Sequence, residues 1–142
     1  MPDARALAFG TGEGRALVMD EPLSFWGGMD PATGEVIDAH HRARGTSLAG
    51  RVVVMPVGRG SSSAPSVLAE AIRLGTAPAA IVLSEPDSIV ALGAIVAAEL
   101  YGRACPVVVL DEEDHRRIPD GASVRVSATE DRAVVEVDGS PR

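Results

Sequence analysis

Three short apolar runs constrain this chain most: Val52 to Val57, Ala79 to Leu83 and Pro106 to Leu110. Each is brief and apolar, the first rich in β-branched residues and bounded by a turn signal, which reads as a buried strand. Between the first two, Val67, Leu68, Ala71 and Ile72 recur with helical spacing; Pro65 opens that segment and Gly75 supplies its stop. Between the second and third, Pro86 and Asp87 start a helix over Ser88 to Leu100, ended by Tyr101-Gly102. Strand–helix–strand, twice in succession, calls for a parallel sheet with right-handed crossovers. In the second helix Ile89, Val90, Leu92, Ile95, Val96 and Leu100 cover much of the circumference, so it is expected to be sandwiched. Gly93, which costs about 1 kcal/mol against alanine in a helix interior, points to a close neighbour.

The flanks read as shorter β elements. Ala4 to Phe9 and Arg15 to Met19 pattern as strands around Gly10-Thr11-Gly12-Glu13-Gly14, taken as a flexible hairpin turn. No Lys-Ser/Thr ending and no helix follow those glycines, so neither nucleotide-binding fingerprint is met. Val36-Ile37-Asp38 fits a brief strand, and Ser123 to Ser127 with Ala133 to Val137 fits a terminal β-hairpin. Asp111 to His115 reads as a solvated charged loop. His40 and His41 read the same way, because no spaced third ligand accompanies them and zinc sites need three or four. No repeat or internal boundary appears, so residues 1–142 are expected to form one domain.

Composition excludes several roles. The chain has 142 residues, 46% apolar and 23% charged, which suits one globular core. A net charge of −7 disfavours nucleic acid and anionic membranes, both of which demand clustered positive charge. The apolar stretch around Ile89 to Leu100 is too short to span a bilayer. No basic N-terminal region precedes an apolar segment, and a cytoplasmic location is expected. Cys105 is the only cysteine, so there is no internal disulfide, and an iron–sulfur cluster, which takes several thiolates, cannot be held by this chain alone. Cys105 itself reads as a small buried hydrophobe.

Chemistry concentrates where the first strand meets the first helix. Val57 runs into Gly58-Arg59-Gly60-Ser61-Ser62-Ser63, just before the helix begins. The two glycines allow a sharp turn. A helix N-terminus offers unpaired N–H groups and partial positive charge, and Arg59 and the hydroxyls add to it, so a carboxylate or phosphate could be cradled there. Serine is also a favoured N-cap, for which one of the three suffices. On the residues alone, anion site and helix cap both stand. The Gly-x-Ser-x-Gly elbow of acyl-transfer enzymes is absent. Phe25 and Trp26, in the Pro- and Gly-rich segment Asp20 to Pro31, either pack beneath that loop or meet a partner or ligand.

Taken together, Asp20-Glu21-Pro22-Leu23-Ser24-Phe25-Trp26-Gly27-Gly28, Asp30-Pro31-x-Thr33-Gly34, Leu48-Ala49-Gly50, Gly58-Arg59-Gly60-Ser61-Ser62-Ser63 and Gly75-Thr76-Ala77-Pro78-Ala79-Ala80 resemble the small subunit of aconitase X. The likeness runs from about Gly12 to Leu110. It implies a swivelling β/β/α domain, an α/β fold with a small parallel sheet, crossover helices and additional β-hairpins. It implies a large partner subunit, in a heterodimer or higher assembly, that holds the iron–sulfur cluster whose iron acts as a Lewis acid. It also implies hydro-lyase activity on a small hydroxy acid. The aconitase Gly-Ser-Ser-Arg segment matches Gly60-Ser61-Ser62, which makes Ser61 the expected general base and Gly58, Arg59, Gly60, Ser62 and Ser63 expected substrate contacts. Ser63 stands in place of that segment's arginine, a role left for Arg59 or the partner. Phe25, Trp26, Gly27 and Gly28 are the expected partner or active-site loop. No metal ligand is expected in this chain. Bacterial relatives suggest cis-3-hydroxy-L-proline as substrate and archaeal ones mevalonate 5-phosphate; the Gly-Arg-Gly-Ser-Ser-Ser loop favours the former. The rival class is a non-enzymatic anion-binding regulatory module.

Overall fold

The computed structural model describes residues 3–58 and 63–138. Among these residues, seven strands close into a barrel: β1 (Asp3–Ala8), β2 (Gly10–Val18), β3 (Val52–Val54), β4 (Ala80–Leu83), β5 (Val107–Val109), β6 (Ser123–Ala128) and β7 (Ala133–Asp138). The order around the barrel is β1-β5-β4-β3-β2-β6-β7, closed by β1 against β7 at Asp3↔Val134 and Ala4↔Ala133. β2, β3, β4 and β5 run parallel, with Val18, Val54 and Val82 in register across the first three. The other pairs are antiparallel.

The helices α2 (Ala64–Leu74) and α3 (Ser88–Tyr101) are the crossovers expected from the sequence. Gly75 and Gly102 end them in the left-handed conformation, φ 80° and 65°, which favours glycine. Because the helices cover the outer side of the parallel strands, β3 and β4 are buried on both faces and need no polar alternation. Val52, Val54, Ala80, Val82 and Val108 fill the barrel interior. Val53, Ile81, Leu83 and Val107 face the other way, into a second core with Leu68, Ile72, Val90 and Ala94. Gly93 is pressed between them: a Cβ there would lie 3.0 Å from Pro65 O and 3.1 Å from Leu68.

Several sequence expectations need correction. The small sheet with added hairpins is a closed barrel, since the terminal hairpin β6–β7 pairs with both β2 and β1. The first apolar run stops as a strand at Val54 rather than Val57, where Pro56 lacks the N–H to continue a ladder. Gly10 to Gly14 do not form a hairpin turn; they lie inside β2, paired with Ala128 through Val124 of β6. Thr11, Glu13 and Arg15 are exposed, while a Cβ at Gly12 or Gly14 would collide with the carbonyl oxygens of Ala79 and Gly50. Those glycines are there for close backbone approach, not for flexibility. Val36 makes only an isolated bridge with Met29. The charged run 111–115 is no solvated loop: it enters a short helix, α4 (Glu112–Arg116), with His115 buried. Nor is α3 sandwiched, for Leu92, Ile95 and Leu100 are exposed on its outer face.

Candidate active site

The carboxyl ends of β3 and β4 lie side by side, and the chain leaving β3 is fastened there residue by residue. Met55 N–H donates to Val82 O at 3.1 Å. The carbonyl of Pro56 accepts from the backbone N–H groups of Ser84 (3.0 Å) and Glu85 (3.1 Å). Gly58 N–H donates to Asp87 Oδ2 at 2.9 Å, while Asp87 Oδ1 accepts from Ile89 N and Val90 N and caps α3. One buried carboxylate thus joins the stem of the serine segment to the start of the next helix. Gly58 fits closely: a Cβ would lie 2.7 Å from Asp87 Oδ2 and 2.8 Å from Val90, so the tie to Asp87 would have to shift to admit one.

Replacing Asp87 by asparagine separates its two tasks. The amide oxygen can still cap α3, but its NH₂ group would face the Gly58 N–H, donor against donor. A loss of about 1–3 kcal/mol is expected, measured by thermal unfolding, together with faster hydrogen exchange at Gly58. A variant as stable as the parent with Gly58 still protected would make the tie dispensable.

On the far side of the segment, Ser63 is the N-cap residue of α2, with φ −89° and ψ −11°, and its side chain makes no capping bond to the helix. Pro65 sits in the first turn and no acidic residue does, so the positive end of α2 is not neutralised by its own sequence. Arg59, Gly60, Ser61 and Ser62, the centre of the site expected from the sequence, lie outside the described residues.

The aromatic segment divides. Phe25 is buried in the core with Leu23 and Met29, whereas Trp26 is 56% exposed. The turn α1 (Phe25–Gly28) is kinked by extended Trp26 (ψ 116°) and left-handed Gly27 (φ 78°), and Gly28 packs on Leu23. Downstream, Gly34 is pressed against Thr76 O, and Thr76 Oγ1 donates to Pro31 O at 2.6 Å, docking this segment beyond the end of α2.

Two histidines were misread in the sequence. His40 is exposed, but His41 is only 5% exposed. Its Nδ1 accepts from Ala43 N–H at 3.0 Å, which leaves Nε2 carrying the proton in the neutral ring, and among the described residues that buried atom has no partner. Nearby, Arg42 N–H donates to Glu21 Oε1 at 2.8 Å. His41, Glu21 and Arg42 help line a groove of about 270 Å³ along the end of β2. His115 reaches from α4 to Met55 O (2.9 Å) and Val82 O (3.3 Å). No periodicity marked either residue, because each lies in a polar stretch and bonds to the backbone.

Cys105 is buried as expected, its thiol directed at Pro78 O (3.4 Å) and pushed up by burial to about 12. A protonated, enclosed thiol does not fit an iron–sulfur ligand, which must be a thiolate. Among the described residues, no group of three or more His, Cys, Asp or Glu could hold a metal ion. No helix there is long and apolar enough to cross a membrane.

The model of the aconitase X swivel domain family matches residues 2–137. The chain belongs to that family. This swivel domain is 37% identical to a chain in the crystal structure of holo-form aconitase X from Thermococcus kodakaraensis, covering 96% of this chain and 97% of that one with a TM-score of 0.84. It is 54% identical over 108 residues to cis-3-hydroxy-L-proline dehydratase of Pseudomonas aeruginosa, covering 76% of this chain. It spans only 19% of that relative's length, and 19% of a Hypocrea jecorina protein of the same name. By contrast, it covers 95% of the phosphomevalonate dehydratase small subunit of Thermococcus onnurineus, at 40% identity and over 94% of its own length.

Proposed function

We propose that this swivel domain, as one unit spanning residues 1–142, is the small subunit of a hydro-lyase that dehydrates cis-3-hydroxy-L-proline. The product is an enamine that becomes Δ1-pyrroline-2-carboxylate. Ser61 is assigned as the base that takes the proton beside the substrate carboxylate. Gly58, Arg59, Gly60, Ser62 and Ser63 are assigned to substrate binding. The observation that carries this reading is the fastened stem: Gly58 tied to Asp87 on one side of the serine segment, and on the other the N-terminus of α2, with no acidic residue in its first turn.

A serine hydroxyl is a weak base in water, and its ionised form needs compensation. The amides opening α2 and the Arg59 guanidinium supply positive potential of the right sign. Exclusion of water strengthens both and requires a covering body. That body is the proposed large subunit, which also holds the iron–sulfur cluster that the Cys105 thiol does not suit. Trp26, exposed on its kinked turn with Gly27 beside it, is assigned to the contact with that subunit.

Hydroxyproline is preferred because the 54% identity to a dehydratase of that substrate exceeds the 40% to the phosphomevalonate enzyme. Mevalonate 5-phosphate is the second reading, favoured by the near end-to-end match to a separate small subunit. An anaerobic pull-down from native lysate, followed by assays on both compounds, tests them. A brown large partner active on cis-3-hydroxy-L-proline is expected, with much less partner recovered by Trp26→Ala. Activity on mevalonate 5-phosphate alone would transfer the assignment to that substrate. A lone colourless chain that binds phosphate or carboxylate would instead mark a non-enzymatic regulatory module.

A further inference from the structure

We propose that His115 is a positioning residue for the serine segment, an inference that rests on the dehydratase reading above. β3 ends at Val54, and the carbonyl of Met55 is left at the point where Pro56 turns the chain. In a continued parallel ladder it would accept from Ser84 N–H, but that group donates to Pro56 O instead. Met55 is fully buried, so water cannot serve its carbonyl, and a buried backbone acceptor without a donor is costly.

His115 supplies the donor. Its Nε2 lies 2.9 Å from Met55 O and 3.3 Å from Val82 O. Both neighbours are carbonyl oxygens, so Nε2 carries the hydrogen and donates to the pair. Met55 N–H donates to the same Val82 O, so strand end, neighbouring strand and imidazole form one closed set of bonds. The ring is held in turn by α4, whose start is capped by Asp111 Oδ1 accepting from Asp114 N–H at 2.9 Å. His115 N–H also donates to Asp111 O at 2.9 Å. Three residues beyond Met55, Gly58 is tied to Asp87. His115 therefore fixes the near end of the stem whose far end Asp87 fixes, and the direction in which the chain sets out toward Ser61 is governed from α4.

Displacement of a reacting group by about 1 Å can cost on the order of a hundredfold in rate. In the complex of this chain with its large subunit, assayed on cis-3-hydroxy-L-proline, His115→Phe is expected to lower kcat about tenfold to a hundredfold. KM should change by less than about threefold. His115→Gln, whose amide can still donate, should recover most of the loss. In the full chain alone, hydrogen exchange at the amides of Met55 and Gly58 should quicken in the Phe variant and slow again in the Gln variant. A Phe variant with parental kcat and unchanged exchange overturns the proposal, as does a Gln variant no better than Phe. Ser61→Ala run alongside keeps the two claims apart. Full turnover there would overturn the serine-base reading whatever His115 does, and the exchange data alone would then decide the role of His115.

Discussion

Alanine at Ser61 is expected to lower kcat of the assembled complex by a factor of about 10²–10⁴, the range that a positioned proton-transfer group contributes. Assembly and thermal stability should stay near parental values, because the N-cap position of α2 belongs to Ser63 and the stem is held by Asp87 and backbone groups. The effect should fall on kcat and kcat/KM alike, as for a group that acts in the transition state. Steady-state rates at saturating substrate, with partner content checked by co-elution, measure it. Parental turnover in a fully assembled Ser61→Ala complex would remove the base assignment. A loss that follows weaker assembly would give Ser61 a structural duty instead.

The second large effect concerns the fold. Gly12→Ala should destabilise the chain by about 3 kcal/mol, the upper part of the range for forcing extra volume into packed surroundings. That corresponds to a fall of roughly 10 °C in Tm. The added methyl would meet the carbonyl of Ala79, which cannot swing aside: Ala79 N–H is bonded to Arg51 O at 2.8 Å, and β4 begins at the next residue. Gly121→Ala is the natural control. Gly121 has φ 81° with no described residue within 4 Å of an added Cβ, so only backbone strain of about 1–2 kcal/mol applies. Thermal unfolding of both variants tests the ranking. If Gly12→Ala proved the milder, crowding inside the barrel would not be the reason for a glycine in β2.

What could be read in advance, and what could not, follows from the range of the forces involved. The parallel strands and both crossover helices carry local signals: β-branched runs, Asp87 at a cap, glycines at Gly75 and Gly102. Closure of the barrel depends on β1 meeting β7 and β5, about a hundred residues away or more, and no local pattern announces such pairing. Glycine marks both turns and tight packing, so Gly10 to Gly14 pointed to a hairpin when their neighbours Thr11, Glu13 and Arg15 already alternated as a strand. The serine segment stands out in the sequence because glycines, hydroxyls and a helix start fall together, although Arg59 to Ser62 lie outside the described residues. Its supports at Asp87 and His115 do not stand out, since each acts on a backbone group some thirty or sixty residues distant. The burial of Cys105 was foreseen; that of His41 was not.

Each of the seven strands has a neighbour on both sides. An open sheet presents a rim of unpaired N–H and C=O groups on which other chains can template. Here the rim is absent among the described residues, although Leu92, Ile95 and Leu100 leave an oily strip on α3. On the proposed reading as a separate small subunit, such a polypeptide must survive the wait for its companion without polymerising. Ring closure gives this one that shelf life, with its sticky strip on a helix, where a stray encounter cannot be extended strand by strand.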